Sequence, residues 1–265
     1  MAEITAPSLT QCFAIQVRVI RALFLRELIT RFGRDNLGVL WLVGEPMLFT
    51  LGVTTLWSFA GMAHSGSAIP IVAFAVTGYS SVLMWRNSAS HCTHAIAGNR
   101  PLLFYRSVQA IDVCLARIAL EVVGASGSFL FLAIFFTYLG LMPPPDNMAL
   151  VIGGWLMLAW FGAALALLVG AGCAYSDLVE RLWQPLSYIL FPMSGAAFMV
   201  DWMPKKIQDL VLFLPMVHGV ELLRQGYFGN VVKTHYSMPY MASCNLVLTL
   251  WAVFLVRKAG HRIEF

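Results

Sequence analysis

The chain has 265 residues, of which 59% are hydrophobic and only 11% charged, and its mean hydropathy is +0.76. Soluble domains average about 25% charged residues, so this composition excludes an ordinary soluble protein and indicates a polytopic membrane protein. The net charge of +4 is small, and nothing in the sequence predicts a nucleic-acid partner.

Residues 8–34 show the pattern of an amphipathic helix. Apolar side chains recur at spacings of three and four, which is typical of one helix face. These positions are Phe13, Val17, Ile20, Phe24 and Leu28. Arg21 and Arg31 fall near that face, and the other arginines lie off it. Basic amphipathic helices lie along anionic membrane interfaces, although a solvated helix beside the membrane fits the same pattern. We therefore take residues 1–35 as a cytoplasmic interface segment.

Six apolar stretches follow that can cross a bilayer as helices, which takes about 20 residues each. They are 37–61, 69–94, 111–141, 148–175, 182–200 and 238–256. The sequence therefore predicts an all-α membrane protein with six transmembrane helices. Its transmembrane domain covers 36–258, and a cytoplasmic tail covers 259–265.

The distribution of lysine and arginine predicts the orientation of these spans. With the N-terminus in the cytoplasm, thirteen of these residues lie inside and four outside. Cytoplasmic loops carry an excess of lysine and arginine, so both termini are expected in the cytoplasm. The four outer residues are Lys205, Lys206, Arg224 and Lys233.

The segment 205–226, between the fifth and sixth spans, contains an apolar run that is too short to cross a membrane. Pro215 interrupts this run. A short segment at membrane depth must be buried in protein or line a water-filled cavity. We predict two short helices, 208–214 and 216–225, which bend at Pro215 and lie in a re-entrant or periplasmic position.

Two carboxylates fall inside the predicted spans. Glu121 follows Arg117 by four residues, so the two can pair on one helix face. Glu45 precedes Pro46 and has no cation four residues away. A charge at the centre of a bilayer costs about 2.5 kcal/mol or more, so Glu45 needs a partner or a water-filled path. A role in the transport path and a structural hydrogen bond both remain open.

The loop 98–107 lies on the cytoplasmic side in this topology. Asn99 can cap a short helix, and Pro101 suits its first turn. The face that this helix exposes carries Leu103, Phe104, Tyr105, Arg100 and Arg106. Such a surface is typical of docking into a groove on a partner, and a helix that rests on lipid headgroups fits it too.

The chain shows no sign of a cofactor or of catalytic chemistry. It contains no G-x-x-x-x-G-K-S/T loop for nucleotide phosphates. His91, Cys92 and His94 lack an evident third ligand, so a polar helix end fits them better than a metal site. Aromatic residues make up 13% of the chain. Interface belts explain most of them, but a path on which sugars stack would use the same side chains.

Two motifs resemble the ABC-2 type export permeases. The run Arg31-Phe32-Gly33-Arg34-Asp35-Asn36-Leu37-Gly38-Val39-Leu40-Trp41, followed by Glu45-Pro46, is similar to the start of that family's polysaccharide branch. The stretch 214–224 looks like the family's N-P-x-x-x-x-x-E-x-x-R motif, although Leu214 stands where asparagine is common. The resemblance covers nearly the whole chain. It is closest to inner-membrane permeases of Gram-negative capsule exporters.

The resemblance implies a homodimeric permease in the bacterial inner membrane. A pair of separate ATP-binding cassette subunits would hold ATP and magnesium, so no cofactor is expected in this chain. The substrate would be a lipid-linked anionic glycan. A periplasmic co-polymerase would lead it to an outer-membrane export channel.

The resemblance and the positions in the chain suggest three groups of site residues. The ATPase interface would contain Arg26, Arg31, Arg34, Arg100, Pro101, Phe104, Tyr105 and Arg106. The channel or substrate path would contain Glu45, Trp57, Phe59, Tyr188, Phe191 and Phe198. The periplasmic gate or outer face would contain Lys205, Lys206, Pro215, Glu221 and Arg224.

The function predicted on these grounds is ATP-driven export of capsular polysaccharide, with this chain as the non-enzymatic permease. Export of O-antigen or teichoic acid is an alternative within the same class, and export of a small molecule is a weaker one. In a different class, the chain would be an integral membrane enzyme that acts on lipid-linked sugars. Such an enzyme needs clustered carboxylates or histidines at a membrane face, and the acidic residues here are scattered.

Overall fold

The computed structural model describes residues 8–32, 38–59, 69–105 and 108–263. Over these residues it contains α-helices and short 3₁₀ turns but no strand. The α-helices are α1 Leu9–Phe32, α2 Gly38–Phe59, α3 Ile71–Cys92, α4 Arg100–Leu103, α5 Ala110–Tyr138, α6 Met148–Tyr175, α7 Asp177–Met193, α8 Lys205–Val211, α9 Pro215–Phe228 and α10 Met238–Ile263. The predicted all-α fold is confirmed for this part of the chain.

Four of the described helices are long and apolar enough to cross a membrane. Their apolar segments are Leu40–Phe59 in α2, Ala110–Tyr138 in α5, Met148–Tyr175 in α6 and Met238–Ala259 in α10. The bounds of α6 are those predicted, and its start is fixed locally. Asn147 caps it, because its Oδ1 accepts hydrogen bonds from Ala149 N at 3.1 Å and Leu150 N at 3.3 Å.

The other two predicted spans correspond to α3 and α7, which do not meet the same criteria. The polar side chains of α3 include Thr77 and Ser81, and both are buried. These polar groups contact protein, since α3 packs between α5 and α6. Helix α7 does not coincide with the fifth predicted stretch, 182–200. Helix α7 starts earlier because Ser176 Oγ caps it, and the chain turns soon after α7 at Gly195, whose φ is +87°.

Helix α6 lies at the centre of the bundle, where it packs against α3, α9 and α10. Two tryptophans of α6 form hydrogen bonds with neighbouring helices through their indole N–H groups. Trp155 Nε1 donates to Ser126 Oγ of α5 at 2.9 Å. Trp160 Nε1 donates to Thr249 Oγ1 of α10 at 3.0 Å. Buried tryptophan N–H groups usually find such a partner, so these residues place polar groups where apolar helices meet.

Helices α6 and α9 approach so closely that their backbones are in contact. A Cβ atom added to Gly226 would lie 2.5 Å from Val151 N. One added to Gly154 would lie 2.7 Å from Leu223 N. Small residues let helices in membranes approach in this way. The position of α9 on the bundle therefore depends on these two glycines.

Gly226→Ala is expected to destabilise the protein by about 1–3 kcal/mol, because the added methyl group pushes α9 away from α6. The matched control is Gly52→Ala in α2, where no atom lies within 4 Å of the added Cβ. There alanine favours the helix by roughly 1 kcal/mol. Thermal unfolding of the detergent-purified protein distinguishes the two variants. Equal unfolding temperatures would contradict the close packing of α6 and α9.

Helix α1 packs along α5 with a face rotated from the predicted one. Leu23 and Glu27 are the most deeply buried side chains described on α1. Phe13 and Val17 of the predicted apolar stripe are exposed, at 72% and 48%. The rotation has a polar cause, since Glu27 and Arg31 turn inward to meet charged groups of α5.

Candidate functional site

An ionic cluster joins α1 to the bundle. Arg117 Nε of α5 lies 2.9 Å from Glu27 Oε1 of α1. Arg31 of α1 donates to Glu121 Oε1 of α5. His91, near the end of α3, completes the cluster: its Nδ1 lies 2.9 Å from Glu121 Oε1, and its Nε2 lies 2.6 Å from Arg31 Nη2. We call these five residues the joint cluster.

The joint cluster corrects the expected pairing of Arg117 with Glu121. The two are four residues apart on α5, yet each pairs with a residue of α1 instead. Arg117 Nη1 also donates to the backbone oxygen of His91 at 2.9 Å. Buried charges need complete pairing, and two pairs between helices satisfy more groups than one pair within α5. The cluster therefore links α1, α3 and α5 to one another.

A second set of contacts ties α1 to the segment before α4. Arg26 Nη2 donates to Asn99 Oδ1. The expected side-chain cap of Asn99 on α4 is not formed, because Asn99 Oδ1 accepts from Arg26 while its Nδ2 donates to Ala95 O at 2.8 Å. Pro101 lies in the first turn of α4, as predicted. The start of α4 is thus fixed by α1 and by the preceding turn.

The surface around α4 is apolar and aromatic. Phe104 is 80% exposed and Tyr105 is 65% exposed. Arg100 and Pro101 are exposed beside them, whereas Leu103 is half-buried. We call Arg100, Pro101, Phe104 and Tyr105 the α4 surface. Two predicted members of the ATPase interface, Arg34 and Arg106, lie outside the described residues. Of the others, Arg26 is exposed, and Arg31 points into the joint cluster.

A cavity of about 560 Å³ adjoins the α4 surface. It lies between the end of α3 and the junction of α6 with α7. His94 Nε2 lies 3.4 Å from Glu180 Oε1 at this cavity. Its other charged lining residues are Arg100, Asp177 and Arg181. The cavity therefore offers a polar recess beside an apolar ridge.

A row of aromatic rings runs along α2, α3 and α7 toward the other end of the bundle. In its outer part, Trp202 stacks on Phe74, with ring centroids 5.3 Å apart. Phe74 lies 6.1 Å from Trp57, and Trp57 meets Tyr79 edge-on at 5.3 Å. Aromatic pairs attract at such separations. These rings form the half of the row farther from α1.

The inner half of the row centres on Phe191 of α7. Its ring centroid lies 5.4 Å from that of Tyr79 and 6.2 Å from that of Phe49. Phe49 also lies 6.3 Å from Tyr79. Phe49 is 44% exposed, so part of this half is open. We call the seven rings together the aromatic row: Phe49, Trp57, Phe74, Tyr79, Phe191 and Trp202, with Tyr188 at its α1 end.

The remaining predicted channel residues lie apart from this row. Phe59 is 90% exposed, at the end of α2. Phe198 is half-buried, and its backbone oxygen rather than its ring makes a specific contact. Glu45 is exposed and lines a narrow cavity with Arg31 and Glu121. No described cation lies within ion-pair distance of Glu45.

At the far end of the bundle, Arg224 and Glu221 of α9 hold two loops. Arg224 is fully buried. Its Nη1 donates to Gly195 O and Phe198 O, both at 2.6 Å, and its Nη2 donates to Ala196 O at 2.7 Å. Its guanidinium carbon lies 3.8 Å from the centroid of the Phe74 ring. Arg224 therefore ties the turn after α7 to both α9 and the aromatic row.

Glu221 likewise holds the segments that precede and follow α8 and α9, through backbone N–H groups. Its Oε1 accepts a hydrogen bond from Val200 N at 3.2 Å, and its Oε2 accepts one from His235 N at 2.9 Å. Burial raises the pKa of the Glu221 carboxyl. We call Glu221 and Arg224 the α9 clamp. The E-x-x-R spacing puts both side chains near the middle of α9, about one turn apart, and each binds backbone groups.

The α9 clamp corrects the expectation that Arg224 offers its charge to a glycan at the outer face. Its two terminal amino groups donate to carbonyl oxygens, and its side chain has no exposed surface. Lys205 and Lys206 are exposed, as predicted, at the start of α8. Pro215 begins α9 after a break that follows α8 at Val211. Two short helices are therefore present, as predicted. Helix α8 begins and ends three residues earlier than the predicted 208–214, and α9 extends beyond the predicted 216–225 at both ends.

Several of these groupings could not be found from sequence. Glu27 and Arg117 are 90 positions apart, and no periodicity relates them. Phe49 and Trp57 are eight residues apart, which is about two helical turns, so their common face was detectable. Tyr79 and Phe74 lie on α3. Because α3 contains many polar residues, its sequence did not indicate that it packs beside the other rings.

Comparison with known proteins identifies the family. The family model described as ABC-2 type transporter matches residues 18–228. The chain belongs to the ABC-2 type transporter family. The resemblance seen in the two sequence motifs is thereby confirmed, and the match includes α4, the aromatic row and the α9 clamp.

Relatives match over almost the whole length. The chain is 38% identical over 264 residues to the capsule polysaccharide export inner-membrane protein CtrC of Neisseria meningitidis, covering 100% of this chain and 99% of the relative. It is 38% identical over 255 residues to BexB of Haemophilus influenzae, a protein of the same description, covering 96% of each. It is 26% identical over 246 residues to the polysialic acid transport protein KpsM of Escherichia coli, covering 92% of this chain and 95% of the relative.

Proposed function

We propose that this chain is the permease subunit of an ATP-binding cassette exporter that moves capsular polysaccharide across the bacterial inner membrane. The observation that carries this proposal is full-length similarity to proteins named for capsule export, at 38% identity. Proteins this similar over their whole length share a fold, and the exposed rings of the aromatic row, Phe49 and Tyr188, offer faces on which sugars can stack. The chain itself would have no enzymatic activity.

In this proposal all six predicted spans cross the membrane, and both termini lie in the cytoplasm. The α1 end of the bundle then faces the cytoplasm, and the α9 clamp faces the periplasm. Helix α3 crosses as a span that is covered by α5 and α6, which explains why its polar side chains do not meet lipid. The thirteen-to-four bias of basic residues supports this orientation.

The partner in the cytoplasm would be a separate ATPase subunit, which supplies ATP and magnesium chemistry. It would dock on the α4 surface, with Phe104 entering an apolar groove. Exposed aromatic side chains beside a polar cavity are typical anchors for a partner. Movement of α4 would pass through Asn99 and Arg26 to α1, and from there through the joint cluster to α5 and α3.

The substrate would be a lipid-linked acidic glycan, which follows the aromatic row toward the periplasm. Sugar rings present apolar faces that stack on aromatic side chains, and charged groups would stay hydrated in a wide path. A second copy of the chain would close the path, since Glu45 and Tyr188 are exposed in one copy. Lys205 and Lys206 would attract the emerging polymer. A periplasmic co-polymerase would carry it on to the outer membrane.

Export of O-antigen or teichoic acid would use the same physical features, and only the names of the relatives favour capsule. An enzyme acting on lipid-linked sugars would need free carboxylates or histidines at a membrane face, and the relatives are named for export and transport instead. The joint cluster is engaged in structural pairs.

Deletion of the gene tests the proposed function. We expect the deletion strain to lose surface capsule and to accumulate lipid-linked glycan in the cytoplasm, and the wild-type gene to restore export. Staining of surface glycan and extraction of the intracellular pool measure both effects. Normal surface capsule in the deletion strain would contradict the proposal, and loss of O-antigen alone would favour that alternative.

Phe104→Asp is expected to reduce co-purification of the ATPase by about tenfold or more, since hot-spot aromatic residues contribute 2 kcal/mol or more to binding. The matched control is Phe213→Asp, which changes a phenylalanine that is 72% exposed at the other end of the bundle. Affinity purification of the tagged permease with quantification of bound ATPase measures the effect. Equal recovery from both variants would exclude docking at Phe104.

A further inference from the structure

Arg86 is a cation inside the bundle that has no role in the proposed function described above. It lies on α3, six residues before the helix ends at Cys92, which is about 9 Å along the axis. Its side chain is half-buried. Its guanidinium carbon lies 4.7 Å from the centroid of the Tyr188 ring and 5.7 Å from that of Phe191. Both distances are within the range of cation–π attraction.

Arg86 differs from the other buried arginines in what it lacks. Arg31 and Arg117 pair with carboxylates, and Arg224 donates to backbone oxygens. Among the described residues, no carboxylate lies within ion-pair distance of Arg86. Its Nε atom is buried without a hydrogen-bond acceptor. The Nε atoms of Arg117 and Arg224 are too, but those two side chains have a carboxylate or carbonyl partner for their charge. A guanidinium has five N–H donors, and burial of a charge without a partner is costly.

The neighbours of Arg86 indicate from which side an anion can reach its charge. Phe191 stacks beside Arg86 and also belongs to the aromatic row. Tyr188, on the other side, is 64% exposed. Anything that enters the row from the α1 end therefore meets Arg86 and its two rings first. Cation–π contacts do not use the N–H donors of a guanidinium, so its terminal amino groups remain available to an anion.

We propose that Arg86 is an anion-binding residue at the entrance to the aromatic row, which takes a phosphate or carboxylate group of the transported glycan. A planar guanidinium binds either group through two parallel hydrogen bonds. The partly apolar surroundings strengthen such bonds relative to water. This inference rests on the proposed export function and specifies which substrates enter: those that carry an anionic group.

Two parts of the substrate supply this chemistry. One is the phosphate that joins the glycan to its lipid, which passes the entrance once. The other is the set of carboxylates repeated along an acidic glycan. A phosphate requirement makes Arg86 a residue that recognises the start of each chain, whereas a carboxylate requirement makes it a contact throughout transport.

The test uses the complete permease–ATPase complex in lipid nanodiscs and the lipid-linked glycan that accumulates in the deletion strain. Three forms of this glycan are compared: intact, with the lipid phosphate removed by mild acid, and with carboxylates reduced to alcohols. Quenching of tryptophan fluorescence measures binding, because Trp57 and Trp202 lie in the aromatic row. The variants are Arg86→Gln and Arg86→Lys. The control is Arg257→Gln, which changes an exposed arginine on α10.

Arg86→Gln is expected to weaken binding of the intact glycan by about tenfold or more, because hydrogen bonds to charged groups are lost. Arg86→Lys should retain part of the affinity, and Arg257→Gln all of it. One modified glycan should bind weakly to the wild-type protein and no more weakly to Arg86→Gln. The group that this glycan lacks is then the group that Arg86 binds.

Two outcomes would overturn the inference. Wild-type affinity of Arg86→Gln for every form is one. The other is an equal loss for all three forms together with a lower unfolding temperature, which would make Arg86 a structural tie between α3 and α7. Failure of the proposed function is distinct from both: the wild-type complex would then bind no form, and the deletion strain would keep its capsule.

Discussion

Arg224→Met is expected to abolish folding of the outer end of the permease and, with it, export. The substitution keeps the apolar volume but removes the donors that satisfy three buried carbonyl groups. A buried polar group without its partner costs about 1–3 kcal/mol, so the total loss is about 3 kcal/mol or more. Glu221 would also lose the positive charge nearest to it on α9.

The yield of monodisperse protein in detergent and its unfolding temperature measure this effect. Lys206→Met is the matched control, since it removes an exposed cation and leaves the α9 clamp intact. Arg224→Lys should fall between the two, because one ammonium group cannot reach every carbonyl that the guanidinium fork reaches. An Arg224→Met protein as stable as the control would contradict the clamp.

The second large effect is expected at the joint cluster. Glu27→Arg should destabilise the protein by about 3–5 kcal/mol, because it places two like charges together in a site that was paired. The Glu27 and Arg117 side chains are only 11% and 17% exposed, so solvent screens the repulsion little. Arg117→Glu alone should have a similar effect, since it brings three carboxylates together.

The double variant Glu27→Arg with Arg117→Glu distinguishes pairing from other causes. It restores opposite charges, so we expect it to recover more than half of the stability lost by either single change. Recovery should be incomplete, because Arg117 also donates to the backbone oxygen of His91. Unfolding temperatures and surface capsule measure the four proteins. A double variant no better than the singles would contradict the pairing of α1 with α5.

The sequence was most informative where local signals agree. An unbroken apolar run and the capping residue Asn147 define the start of α6, and both are visible in the sequence. Pro215 suits the first turn of a helix and ends the one before it, so two short helices were predictable. The exposed aromatic character of Phe104 and Tyr105 was predictable for a similar reason, because apolar residues in a charged loop have no core to join.

Long-range choices could not be predicted. Arg117 had a nearby carboxylate at Glu121, and only the docking of α1 brings Glu27 closer. A basic residue such as Arg224 after an apolar stretch is equally compatible with a surface charge and a buried clamp. The unpaired state of Arg86 depends on what α7 places opposite it, and sequence spacing within α3 carries no information on that.

If the proposed function holds, the force from the ATPase and the substrate would both act on α3. His91 of α3 belongs to the joint cluster, Arg86 lies one turn and a half further along, and Phe74 reaches the α9 clamp. A displacement of α1 would therefore be felt along the whole aromatic row. Coupling through one rigid element with discrete contacts is a physically sufficient route between distant sites.

The most direct measurement is translocation by the purified complex in sealed proteoliposomes. The permease and its ATPase are reconstituted with the ATPase outside, and lipid-linked glycan from the deletion strain is added to the outer surface. A glycan-degrading enzyme outside then removes all polymer that has not crossed. We expect protected glycan to accumulate only with hydrolysable ATP, and Phe104→Asp to prevent it. Protection without ATP, or ATP hydrolysis with no protected glycan, would contradict an ATP-driven polysaccharide permease.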